Sequence, residues 1–235
     1  MTTSNTLNLL SAGAAQGLVK ALQDRFKTET GAELQARFGA VGAMQEALRA
    51  GEPCDVLVLT QKQIDALTAD GTLLPGSAAL LGRVRTGVAV RQGAATPAVD
   101  TVEGLKAALL AATGIYFPDP VRATAGIHFA KVLHALGIHD ELAPRFRTFP
   151  NGATAMREMA ASTEANPVGC TQVTEIRYTP GVELVAVLPT QFELATPYTA
   201  AVKAGSAQAA LAGRFIALLS GADTATLRAA GGFED

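Results

Sequence analysis

The chain has 235 residues, 49% of them hydrophobic and 17% charged, enough for one large or two small domains with a buried core. Its 19 basic and 21 acidic residues leave a net charge of −2, which gives no electrostatic footprint for nucleic acid and leaves any anionic ligand dependent on a local site. No apolar run approaches the roughly 18 residues that would argue for a membrane-spanning helix, and the opening "MTTSNT" has neither the basic nor the apolar region of a secretory leader.

That opening predicts a cytoplasmic protein if the chain is complete, or a periplasmic one if a signal peptide has been removed. The first half alternates strand and helix. Residues 7–10 read as a buried strand, 14–29 as a helix stopped by Gly31, 32–38 as a half-buried strand and 42–51 as a short helix. "DVLVLT" (55–60) is a continuous apolar run typical of a buried parallel strand, and 61–71 is helical again. This order argues for an α/β fold with a parallel sheet covered by helices. A long strand at 83–93, with arginines on alternate positions, breaks the rhythm. A second series follows: helix 101–111, strand 114–117, helix 124–136, strand 145–149, helix 151–161 and strand 167–171. "VELVAVLP" and 194–203 read as strands, and helices near 206–219 and 222–230 close the chain.

The terminal helices need a sheet to cover, so the second series reads as an insertion. The expected organisation is residues 1–83 plus 195–235 as one lobe and 84–194 as the other. The strands near 83–92 and 194–203 are then the crossings, and a cleft between lobes is where a ligand is expected. Cys54 and Cys170 lie outside any Cys-x-x-Cys spacing and read as small hydrophobes. His128, His134 and His139 have no partners at ligand spacing, so no metal and no cofactor is expected.

Four strand-to-helix junctions share one composition. They are Ser11-Ala12-Gly13-Ala14, Phe38 to Ala43, "DPVRATAGIHF" (119–129) and "PNGATAM" (150–156), all small or polar. A helix start presents unpaired N–H groups and about half a unit of positive charge, so it suits an anion once bulky side chains are absent. Packing alone explains any one such junction. Four at the same ends of parallel strands argue for binding.

The stretches "LLSAGA" (9–14), "FGAVGAMQEALRAGEPCDVLVLT" (38–60), "DPVRATAGIHFAKVL" (119–133) and "ANPVGCTQVTEI" (165–176) carry a resemblance over most of the chain. The sequence resembles the type II solute-binding proteins, and within them the periplasmic molybdate-binding protein family. The resemblance implies two α/β lobes, a two-strand hinge that lets them close, and an oxyanion held in the cleft by hydroxyls and backbone N–H groups. It implies that Ser11 is a ligand serine, with Ala12 and Gly13 in the same turn. It implies backbone donors at Ala125 and near Thr154. Ala40 and Val41 stand where the family typically has a serine pair, and Gln172 where it has a tyrosine. Each lost donor leaves part of a desolvated oxyanion unmet, at about 1–3 kcal/mol, which argues against molybdate.

Arg122 can fork onto a carboxylate, Thr124 and Thr171 can donate hydroxyls, and Gln172 can pair with a planar carboxylate or amide. Asn151 reads as the N-cap of its helix. This set suits a small organic di- or tricarboxylate. Two functions follow. The first is a binding protein for that anion, partnered by an ABC-transporter permease if exported. The second is an isomerase of an unsaturated tricarboxylate, since this branch of the fold includes an aconitate isomerase. His128, in the first turns of a helix, is the candidate base for that chemistry.

Overall fold

The computed structural model describes residues 6–235. β1 (Thr6–Ala12) passes through one 3-10 turn, Gly13–Ala15, into α1 (Gln16–Thr30). The predicted helix therefore starts two residues late, because the small residues tighten the first turn instead of extending it. Gly31 closes α1 in the left-handed region at φ 68°, a conformation glycine adopts without a Cβ penalty. β2 (Glu33–Gly39), α2 (Val41–Arg49), β3 (Val56–Thr60) and α3 (Gln61–Ala69) follow in the expected order. β4 (Ala79–Arg91) begins four residues before the expected start. The arginine alternation that signals the strand sets in only after Gly82.

In the second series come α4 (Val102–Ala111), β5 (Gly114–Pro118), α5 (Thr124–Ala135) and α6 (His139–Leu142). β6 (Phe146–Phe149), α7 (Gly152–Ala161), β7 (Pro167–Gln172), α8 (Val173–Tyr178) and β8 (Val182–Val187) complete it. β9 (Ala195–Val202), α9 (Ala209–Ser220) and α10 (Ala225–Gly231) end the chain. α6 and α8 are not in the sequence expectation: at four and six residues they are too short to show a period.

The chain divides into two compact units. One holds the residues up to Arg83 together with Thr196–Asp235; the other is Val84–Ala195. In the first unit, β1 pairs in parallel with β2 and β3, and β9 runs antiparallel to β3. In the second, β5 pairs in parallel with β6 and β7, and β4 runs antiparallel to β7 and β8. The sheets are thus mixed, with the expected parallel strands flanked by antiparallel ones. β4 and β9, in which the chain passes from one unit to the other, are neighbours in the strand order.

Every residue of β3 is buried, which explains its unbroken apolar run. In the same unit Phe26 of α1 meets Phe215 of α9 edge-on, with ring centres 4.8 Å apart. Buried Asp55 ties three segments: its Oδ2 accepts from the backbone N–H (2.8 Å) and Nδ2 (3.0 Å) of Asn8, and its Oδ1 from Ser206 Oγ (2.7 Å). In the second unit Phe117 packs edge-on against Phe129 and Phe146 in a core of buried aliphatics. Cys170 is buried and Cys54 half-buried, and both are free thiols. Burial pushes the Cys54 thiol up to about 12, so it is unreactive as a thiolate.

Candidate functional site

The first unit collects its candidate residues at the C-terminal ends of β1 and β2. Ser11 pairs in register with Phe38 and Ala12 with Gly39, so the Ser11-Ala12-Gly13 turn and Ala40-Val41 stand at the ends of neighbouring strands. Ser11 is fully buried, and its Oγ donates to the Ala12 carbonyl at 3.0 Å. To serve a ligand it must turn from that bond. Ala12 caps the 3-10 turn and Ala40 caps α2, both without a side-chain hydrogen bond. Thr196, which the sequence reading passed over, is buried in β9 with its Oγ1 unpartnered.

The second unit repeats the design at the ends of β5 and β7. Asp119 builds the loop after β5: its Oδ1 accepts from the N–H groups of Val121 (2.7 Å) and Arg122 (3.0 Å). α5 then starts on Ala123, with Thr124 and Ala125 as its first residues and no side-chain cap. A Cβ at Gly126 would overlap the Pro118 and Asp119 carbonyl oxygens, so only glycine lets this first turn sit down on the strand end. Arg122 is exposed, Thr124 half-buried and Ala125 buried.

Gln172 ends β7 and is 2% exposed, yet neither its Oε1 nor its Nε2 has a hydrogen-bond partner. Directly opposite on β4 is Thr86, 1% exposed, whose Oγ1 is also unpartnered. Thr174, two residues on, has an orphaned hydroxyl as well. Buried polar groups are normally satisfied, and each one left unmet costs about 1–3 kcal/mol. A set of them around the C-terminal end of β7 fits a site built for a ligand. Thr86 gave no sequence signal beyond being a hydroxyl inside an apolar strand.

The fourth junction differs. The Asn151 side chain caps α7 by accepting from Thr154 N–H at 2.9 Å. The N–H groups of Gly152 and Ala153 point at the carboxyl group of Glu175, which also accepts from Gln172 N–H and, at 2.6 Å, from Thr171 Oγ1. The first three N–H groups of α7 are all engaged inside the protein. The Thr154 N–H expected to serve a ligand is taken, as is the Thr171 hydroxyl. Burial pushes the Glu175 carboxyl up, opposed by its four donors.

His128 lies on α5, half-buried, with Nε2 2.7 Å from the Phe192 carbonyl. A carbonyl only accepts, so Nε2 carries the proton. Among the described residues no cluster of three or more His, Cys, Asp or Glu can hold a metal, and no helix is long and apolar enough to cross a membrane. A cavity of about 500 Å³ lies at the other end of β4, lined by Arg91, Gln92, Ala160 and Gly181 among others, and none of the candidate residues lines it.

These features meet a consistent set of relatives. The chain is 26% identical over 226 residues to an aconitate isomerase from a Pseudomonas species, covering 94% of this chain and 84% of that protein. The periplasmic molybdate-binding protein of Azotobacter vinelandii has a similar fold, with a TM-score of 0.79 at 20% identity, covering 97% of this chain and 98% of that one. The sulfate-binding protein of Mycobacterium tuberculosis gives a TM-score of 0.71 at 16% identity, covering 97% of this chain and 86% of that one. The family model described as bacterial extracellular solute-binding protein matches residues 7–234. With a two-unit α/β fold and a match over nearly its whole length, the chain belongs to the bacterial extracellular solute-binding proteins.

Proposed function

We propose that the protein binds a small organic di- or tricarboxylate, in preference to molybdate, as a solute-binding protein. The observation that carries this reading is the buried, unpartnered amide of Gln172 opposite the unpartnered hydroxyl of Thr86. An amide presents an NH2 donor group and a carbonyl acceptor side by side. A carboxylate takes the donor, and a ligand hydroxyl or protonated carboxyl takes the acceptor. A fully ionised tetrahedral oxyanion offers only acceptors and leaves Oε1 unmet. The alanine-capped starts of the Gly13–Ala15 turn, α2 and α5 supply backbone N–H groups without polar side chains in the way. Within each unit these starts are flanked by small buried apolar residues, Ala12, Ala40 and Val41 in the first and Ala123 in the second, which suit a carbon skeleton better than a hydroxyl would. Arg122 beside α5 adds a guanidinium for a second carboxylate. In an exported protein the partner is an ABC-transporter permease.

Calorimetric titration with citrate, cis- and trans-aconitate, molybdate and sulfate tests the proposal. A di- or tricarboxylate is expected to bind more tightly than either oxyanion, and Ser11→Ala to weaken it by about 1 kcal/mol or more. Sub-micromolar molybdate binding with no heat from any carboxylate overturns it.

The aconitate isomerase relative favours a second reading, isomerisation of an unsaturated tricarboxylate. That reaction takes a proton from a carbon beside one carboxylate and returns it to another carbon, moving the double bond. His128, with Nε2 held by Phe192, keeps Nδ1 as the acceptor. Deuterium uptake into aconitate in heavy water, abolished by His128→Ala, identifies the enzyme. Binding without exchange leaves the solute-binding reading.

A further inference from the structure

Glu175 is a buried carboxyl group that the ligand-binding reading does not use. It is the third residue of α8 and accepts from the N–H of Gln172, the residue that caps that helix. This is the returning half of a capping box. The same carboxyl group also takes the N–H groups of Gly152 and Ala153, the first two residues of α7, and the Thr171 hydroxyl. A Cβ at Gly152 would overlap both Thr171 Oγ1 and Glu175 Oε2, so the backbone is shaped around the carboxyl group.

The arrangement has the form of a bound anion: two consecutive N–H groups at a helix start, one further N–H and one hydroxyl converging on one carboxyl group. Here the anion is part of the chain. We propose that Glu175 is a specificity-determining and positioning residue, an internal carboxylate that fills the cradle at the α7 start, excludes a ligand anion from it and fixes the backbone of Gln172. It leaves α5 and the Gln172 side chain as the anchors for ligand in this unit. That last consequence rests on the proposed function; the occupancy of the cradle does not.

Chemical rescue tests the occupancy. In the full chain, Glu175→Ala empties the cradle. The variant is expected to unfold at lower temperature than the wild type. Sodium formate, against sodium chloride at equal ionic strength, is expected to restore part of that loss with saturation. The wild type and Glu175→Gln, whose cradles stay filled, are expected to show no formate-specific gain. A variant that gains no more from formate than from chloride, or a wild type that gains as much, overturns the proposal. Should Glu175→Ala fail to fold, NMR of the wild type decides. Scalar coupling across the hydrogen bonds from the Gly152 and Ala153 amides to the Glu175 carboxyl carbon supports it. No coupling, with both amides exchanging freely with solvent, overturns it. Rescue by formate together with failure of every carboxylate titration would retain the internal anion and discard the ligand assignment.

Discussion

Gln172 and Glu175 stand three residues apart and are both buried, yet the side chain of one has no partner and that of the other has four donors. Their neighbourhood reads "TQVTEI" in the sequence, which shows neither fate. Gln172 was legible only through the resemblance that aligns it with a ligand tyrosine. Glu175 was not legible at all, because a glutamine in the capping position hides the usual sequence signature of a capping box. The Glu175 carboxyl also gives a pH dependence whose sign is fixed. Its native pKa is raised above the usual glutamate value of 4.5 by burial. Between that value and the raised one, the folded state binds more protons than the unfolded state. Stability therefore falls as pH rises through this window and levels off above it. Urea unfolding across a pH series checks this. The wild type should lose stability relative to Glu175→Gln as pH rises from the carboxyl range. A wild type that gains stability relative to the variant over that window would contradict the shift.

Four helical starts in the described chain, those of the Gly13–Ala15 turn, of α1 that follows it, of α2 and of α5, are capped by alanine, while α7 is capped by Asn151. Alanine is a poor N-cap, and a serine or asparagine in its place typically stabilises a helix by about 0.5–2 kcal/mol. The composition of these junctions was plain in the sequence, as was their position at the ends of parallel strands. What could not be read was which helix start is already closed, since that depends on a carboxyl group from a distant segment. Long elements were legible because their periods are long enough to see; α6 and α8 were not. An open cap at a binding edge predicts a trade between stability and affinity. Ala123 has the extended backbone of a capping residue, φ −98° and ψ 131°. Ala123→Ser should therefore cap α5 and raise the stability of the ligand-free protein by about 0.5–1 kcal/mol. The same hydroxyl takes an N–H that a ligand would use, so affinity for the anion should fall. Thermal unfolding and calorimetry on the one variant read both changes. Greater stability with unchanged affinity would remove α5 from the site.

At the scale of the whole molecule, the two units are built differently along the chain. Val84–Ala195 is one continuous segment; the other unit needs residues from both ends. The two core clusters that join Val88 to Leu188 and Ala89 to Ile176 lie wholly inside the continuous segment. So do the pairings of β4 with β7 and β8, which begin at Thr86 and Gly87. This segment carries its own strands, helices and aromatic core, which is what an autonomous domain requires. The first unit is not divisible in that way. β3 is buried on every residue and pairs along its whole length with Tyr198–Val202 of β9. Phe26 of α1 packs on Phe215 of α9. A fragment ending at Arg83 would lose both partners and expose an apolar strand edge, the kind of edge that pairs with other copies. Residues 84–195 expressed alone should therefore be soluble and unfold cooperatively, while residues 1–83 alone should aggregate or remain unfolded. Adding the C-terminal segment from Thr196 to the second fragment should restore β9, and with it the fold. Circular dichroism with urea titration of the three samples checks the argument. A soluble, cooperatively folded 1–83 fragment would mean that β3 and α1 hold their places without the returning segment.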